Sequence, residues 1–198
     1  MNRRNALGLV LGSSALAGLL GGCAPFGADM NKMETPLDGT SMANFDALGD
    51  ANWRVIDGAI QGDKGNGFLV SKKSYKDFYM VVEFWSDADA NSGIFIRCTN
   101  PKQVTATNSY EVNIFDKRPN QAFGTGAIVG VAEVSPMPWA AGRWNTMEIT
   151  AQGPVLTVSF NGSRTVNGVR DARFASGPFA LQSAGGTIKF RKVQIVEM

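Results

Sequence analysis

The chain has 198 residues, 44% of them hydrophobic and 18% charged, with 23 Gly, 12 Phe and 4 Trp; this composition fits a glycine-punctuated β domain and excludes a disordered chain. Histidine is absent, which excludes Ser-His-Asp and Cys-His nucleophile pairs and imidazole-dependent zinc sites, so acid–base chemistry falls to carboxylates, Lys, Tyr or water. The formal charge of +2 comes from Arg3 and Arg4; without them 17 basic residues balance 17 acidic ones, and a neutral domain without a Lys/Arg run argues against a nucleic-acid partner.

Residues 1–22 read as an export signal. Arg3 and Arg4 form a positive start, residues 5–22 carry no charge, and the apolar part is too short and too rich in small residues for a membrane span. It ends in Leu20-Gly21-Gly22-Cys23, which resembles a bacterial lipobox; cleavage there leaves Cys23 as the lipid-bearing first residue. An ordinary signal peptide with an incidental cysteine is the alternative. With Ala24 rather than an acid after the cysteine, the expectation is a lipoprotein of the cell envelope, anchored in the outer membrane and facing periplasm or surface. Residues 23–36 lack periodicity and read as a tether. If Cys23 carries lipid, Cys98 has no disulfide partner and reads as a small buried apolar side chain.

Residues 37–198 read as one all-β domain. Short apolar or alternating runs recur at 53–56, 59–61, 68–71, 78–86, 93–98, 110–115, 127–131, 145–152, 155–160, 163–169, 179–182 and 187–197. Asp57-Gly58 and Asn161-Gly162 are tight-hairpin signals. About a dozen strands around one core point to two antiparallel sheets in a sandwich or jelly roll. Three longer loops, 99–109, 116–125 and 132–143, separate the runs.

Strand alternation sorts side chains by face. Tyr110, Val112 and Ile114 oppose Glu111, Asn113 and Phe115. Ile94, Ile96 and Cys98 oppose Phe95 and Arg97. Val82 and Phe84 oppose Val81, Glu83 and Trp85, and Phe179 and Leu181 oppose Ala180 and Gln182. If these four strands share a sheet, one surface collects Glu83, Trp85, Phe95, Arg97, Glu111, Asn113 and Gln182. Such a surface suits a sugar: rings stack on C–H faces while amides and carboxylates accept hydroxyl hydrogens. A solvated sheet face with ordinary cross-strand pairs is the alternative.

The order and spacing of Trp53-Arg54-Val55-Ile56-Asp57-Gly58, Asn91-Ser92-Gly93-Ile94-Phe95-Ile96-Arg97, Tyr110-Glu111-Val112-Asn113-Ile114, Thr125-Gly126-Ala127-Ile128, Gly142-Arg143-Trp144-Asn145 and Leu181-Gln182 resemble the 3-keto-disaccharide hydrolase domain family. The likeness runs from about Leu37 to Val196. It implies a concanavalin-A-like jelly roll, export as a lipoprotein, and cleavage of glycosidic bonds in disaccharides or glycosides oxidised at carbon 3. Family members usually continue Leu-Gln with a histidine two residues on; here that position is Ala184. Asn113 stands where relatives usually carry Gln, and Val129 where a tyrosine is common.

Direct hydrolysis needs an acid and an opposed base or nucleophile. Glu111 is the first candidate, Glu83 the second, and Asp116, at a loop entrance, the runner-up. A 3-keto sugar also permits elimination, with Glu111 taking a proton and Arg97 stabilising the enolate. Trp85, Phe95, Asn113, Gln182 and Asp116 are the candidate sugar contacts. No cofactor or structural metal is expected. The run Asp87-Ala88-Asp89-Ala90-Asn91 lacks the glycine and closing acid of an EF-hand and leaves only a loose loop calcium open. Two competitors to catalysis remain: a lipid-anchored carbohydrate-binding protein, favoured by Ala184, and an envelope protein whose mixed face holds another protein.

Overall fold

The computed structural model describes residues 27–198; the export signal and the first residues of the expected tether, 23–26 with Cys23, lie outside the described residues. Thirteen strands follow one another: β1 (Glu34–Leu37), β2 (Phe45–Gly49), β3 (Asn52–Ile56), β4 (Ala59–Asp63), β5 (Gly67–Tyr75), β6 (Phe78–Ser86), β7 (Ser92–Ile96), β8 (Tyr110–Ile114), β9 (Trp144–Gln152), β10 (Val155–Phe160), β11 (Ser163–Arg170), β12 (Gly177–Ser183) and β13 (Ile188–Glu197). Met30–Lys32 and Gln121–Phe123 are single 3-10 turns. The first strand begins at Glu34, inside the segment expected to be tether. Conversely, residues 127–131, expected as a strand, make only isolated bridges from Ile128 to Val112 and Ala132, because the chain turns at Gly130, where φ is 67°.

The strands form two antiparallel sheets. One has eight strands in the order β11-β10-β9-β6-β13-β4-β3, with β1 also paired to β13; the other has five, β2-β5-β12-β7-β8. Both hairpin signals hold. Asp57 and Gly58 have φ of 50° and 72°, and Asn161 and Gly162 have 47° and 79°, the doubly left-handed geometry that a two-residue turn needs to match strand twist.

Alternation drives the packing. Met80, Val82 and Phe84 of β6, Met147 and Ile149 of β9 and Phe190 of β13 face inward from the larger sheet. Leu69, Ile94, Ile96, Tyr110, Val112 and Leu181 meet them from the smaller one. Their burial is the main favourable term of the fold. The Tyr110 hydroxyl enters this core without an unmet hydrogen bond: it donates to Asp171 and accepts the Phe174 N–H. Among the described residues no helix is long and apolar enough to cross a membrane.

Candidate active site

The outer face of the five-stranded sheet brings four of the expected residues together. Phe95 of β7 stands opposite Glu111 of β8, and Gly93 opposite Asn113. On the other side of β7, Ala180 pairs with Phe95 and Leu181 with Ile94, which sets Gln182 beside Gly93. Phe68 of β5 pairs with Gln182 and meets the Phe95 ring edge-on at 5.2 Å. Gly93 is the floor of this patch. A Cβ there would lie 3.3 Å from both Glu111 Cγ and Phe95 Cε2, so the absence of a side chain lets both close over the backbone at that point.

Glu111 is 9% exposed. Burial pushes its carboxyl above the ordinary 4.5, with the Arg118 guanidinium opposing, and no hydrogen bond contributes. A carboxylate in that state binds a proton more readily than an exposed one. Asn113 is fully buried; its Nδ2 donates to Phe123 O at 2.6 Å while Oδ1 has no partner. The carbonyl of Phe123 fixes which end of the amide is nitrogen. Gln182 Oε1 is likewise buried and unpartnered. Two orphaned acceptors therefore flank Gly93, where native structures rarely tolerate even one.

Two side chains of this patch escaped the sequence reading. Phe68 lay in an expected strand whose faces were not sorted. Arg118 lies in the 116–125 loop, where alternation says nothing about direction; the loop's length was the only available signal.

The other expected residues lie elsewhere. Glu83 and Trp85 belong to β6, which is in the larger sheet. They point outward there, so the core separates them from Glu111, the sheets of a sandwich being about 10 Å apart. Glu83 forms an ion pair with Arg191 at 2.5 Å. Arg97 is 1% exposed and left-handed, with φ of 55°. Its Nε donates to Lys76 O, its Nη1 to Gly153 O and Phe174 O, and its Nη2 to Asp77. That set ties three chain segments together and leaves no aim at a ligand on the Glu111 face. The same turn inverts the alternation, so Cys98 packs with Phe95, Val104, Val70 and Ala180 on the outer side rather than with Ile94 and Ile96.

Asp116 is buried and accepts from Thr125 Oγ1 at 2.6 Å and from the backbone N–H groups of Ala140 and Ala141. It anchors the 116–125 loop to the 132–143 loop, and so positions Arg118 and Phe123 rather than contacting sugar. Ala184 sits one outward position beyond Gln182, its N–H bonded to Asn91 O, so the position at which the resemblance implies a histidine presents only a methyl group. In the candidate calcium run both Asp87 oxygens take backbone N–H groups and Asp89 pairs with Lys117. No cluster of three or more His, Cys, Asp or Glu side chains gathers among the described residues.

Comparison with known proteins agrees with the fold. Residues 32–196 match the model of the 3-keto-alpha-glucoside-1,2-lyase-like domain. Two solved proteins of Parabacteroides distasonis ATCC 8503, each assigned as a glycosyl hydrolase, share the fold. One has a TM-score of 0.70 at 24% identity over 85% of this chain and 100% of its own. The other has a TM-score of 0.75 at 16% identity over 85% and 94%. The carbohydrate binding module CBM66 from Bacillus subtilis follows at 0.60, with 19% identity over 86% and 99%. At these identities the likeness to solved structures establishes the fold. No curated protein matches the chain.

Proposed function

We propose, from the premise that the chain belongs to the 3-keto-alpha-glucoside-1,2-lyase-like domain family, that it cleaves 3-keto-disaccharides or 3-keto-glycosides by elimination, with Glu111 as the base. The observation that carries the reading is a single buried, unbonded carboxylate on the sugar-compatible face. Acid–base glycosidases place two carboxyl groups about 5–9.5 Å apart. Glu83 faces away on the other sheet, and the oxygens of Asp116 are committed to loop backbone. Asp46 shares the outer face but stands on β2, four strand spacings from β8, about 19 Å at ordinary strand separation.

Elimination needs fewer groups. The ketone at carbon 3 acidifies the C2 hydrogen. Glu111 takes that proton, the C–H electrons form the C1=C2 double bond, and the C1–O bond to the leaving sugar breaks. The departing oxygen recovers a proton, from Glu111 or from solvent, and the product is an enone. Arg118 supplies positive charge to offset the enolate oxygen. The unpartnered oxygens of Gln182 and Asn113 accept substrate hydroxyls, and half-buried Phe68, held edge-on by the buried Phe95, offers ring surface to the pyranose. Incubating the protein with a 3-keto-disaccharide and following ultraviolet absorbance of the enone tests the reaction type. Direct release of an intact 3-keto sugar would assign hydrolysis instead.

A second reading is supported by Ala184. Without the imidazole usual at that position, the same face would hold a sugar without turning it over, and binding with no product would assign it. For location we propose lipid anchoring in the cell envelope at Cys23; a Cys23→Ala chain should then lose its membrane association.

A further inference from the structure

The outer face of the eight-stranded sheet carries an ordered row of side chains that the Glu111 face does not use. Arg54 of β3 pairs with Gln61 of β4, Gln61 with Lys189 of β13, Lys189 with Trp85 of β6, and Trp85 with Trp144 of β9. These five residues sit at one register across five adjacent strands. Each lies at an outward position, since its strand neighbours Trp53, Ile60, Ile188, Phe84 and Asn145 face the core or are buried.

Cations hold the two indoles in place. The Lys189 ammonium lies 5.1 Å from the centroid of the Trp85 ring, and the Arg191 guanidinium 4.4 Å from that of Trp144. A register shift between Phe190 and Lys192 puts Arg191 and Lys192 outward together, as a bulge does. Arg191 therefore reaches across β6, pairing through Nε with Glu83 while stacking on Trp144. Its other four N–H donors, and the ammonium groups of Lys189 and Lys192, have no hydrogen-bonded or ion-paired partner among the described residues. Beside the row, four cations (Arg54, Lys189, Arg191 and Lys192) meet two acids, Asp63 and Glu83, already paired with Arg54 and Arg191; a third acid of this face, Glu148, lies four residues from Trp144 along β9 and accepts the Tyr79 hydroxyl.

We propose that this row is a second glycan-binding surface, on the opposite side of the sandwich from Glu111, and that its ligand is an acidic polysaccharide of the uronate class. Flat indole surface, with Trp144 38% exposed, suits pyranose C–H faces. The unpaired donors of Lys189, Arg191 and Lys192 suit one carboxylate per sugar repeat. The row crosses five adjacent strands, so an extended chain can lie along it. Large exposed hydrophobics among the described residues are scattered singly, at Met30, Val55, Trp139 and Trp144, which gives a lipid surface no apolar patch to enter. The proposal is independent of the chemistry assigned to Glu111.

The test measures binding of the detergent-solubilised full chain to polygalacturonate, dextran and polyphosphate at low salt. Binding to polygalacturonate alone is expected. Trp85→Ala with Trp144→Ala should weaken it at least tenfold, and Lys189→Gln should weaken it while leaving the aromatic row intact. Turnover at the Glu111 face should survive all three changes. No affinity for polygalacturonate, equal affinity for polyphosphate, or binding indifferent to both the tryptophan and the lysine changes would overturn the proposal. The lysine variant keeps the test decisive if the tryptophan variants fold poorly.

Discussion

Phe95 and Glu111 stand directly opposite one another in β7 and β8, and both side chains close over Gly93, each 3.3 Å from where a Cβ on that residue would sit. Gly93 is extended backbone that alanine can also adopt, so Gly93→Ala should fold. The added methyl must push Glu111 and Phe95 aside, an overpacking cost of about 1–3 kcal/mol. The larger effect should fall on function: sugar binding or turnover reduced tenfold or more. Calorimetric melting and titration with a glycoside on the same preparation separate the two.

Burial raises the Glu111 carboxyl above its ordinary value, against the pull of Arg118. A group whose folded value is raised favours folding below its unfolded value, and loses that contribution as pH rises through the folded one. The ionised carboxylate is therefore a burden at neutral pH. Glu111→Gln should melt above the parent at pH 7, and the gap should close as pH falls towards 4. In turnover the sign is reversed: the base must be ionised, so the acid limb of kcat/KM should lie above pH 4.5. Melting curves and rates across pH 4–8 check both.

Arg97 is structural. It makes four hydrogen bonds from a buried position, one of them to Asp77 at 3.0 Å. Removing the guanidinium empties a buried site and takes the donor from the carbonyls of Lys76, Gly153 and Phe174, while Asp77 keeps the Gly153 N–H, so Arg97→Ala should cost about 2–4 kcal/mol of stability. The fraction that remains folded should keep its kcat. Denaturant unfolding together with rates normalised to folded protein makes the distinction.

Cys98 is 1% exposed, and burial pushes its thiol up to about 12. It should be inert to Ellman's reagent in the native protein and react on unfolding, because the thiolate is the reactive form. The melting temperature should be the same with and without reductant.

The strands were legible because period-two alternation and two hairpin turns are local signals. The sandwich followed from their number. Sheet membership was not legible. Parity gives the side of a strand on which a residue lies, and it put Glu83 and Glu111 on comparable polar sides. The chain then sends β6 between β9 and β13 and β7 beside β12, so those polar sides face opposite ways. Parity also failed after Ile96, where Arg97 turns left-handed; arginine is not a residue type that announces such a turn. Arg118 and the anchoring role of Asp116 depend on contacts between loops remote in sequence, on which no periodicity bears. What survived at the site, Phe95, Glu111, Asn113 and Gln182, lies on regular stretches of strands that share one sheet.

In the proposed reaction Glu111 removes a proton from carbon 2 of a 3-keto sugar. A 3-keto-glycoside deuterated at carbon 2 tests it most directly. The wild-type chain should release the leaving sugar only with loss of deuterium to water and appearance of enone absorbance. Glu111→Gln should slow both on the order of 100-fold or more while substrate still binds. Release of a 3-keto sugar that retains its deuterium, or an unchanged rate in Glu111→Gln, would rule out proton abstraction by Glu111.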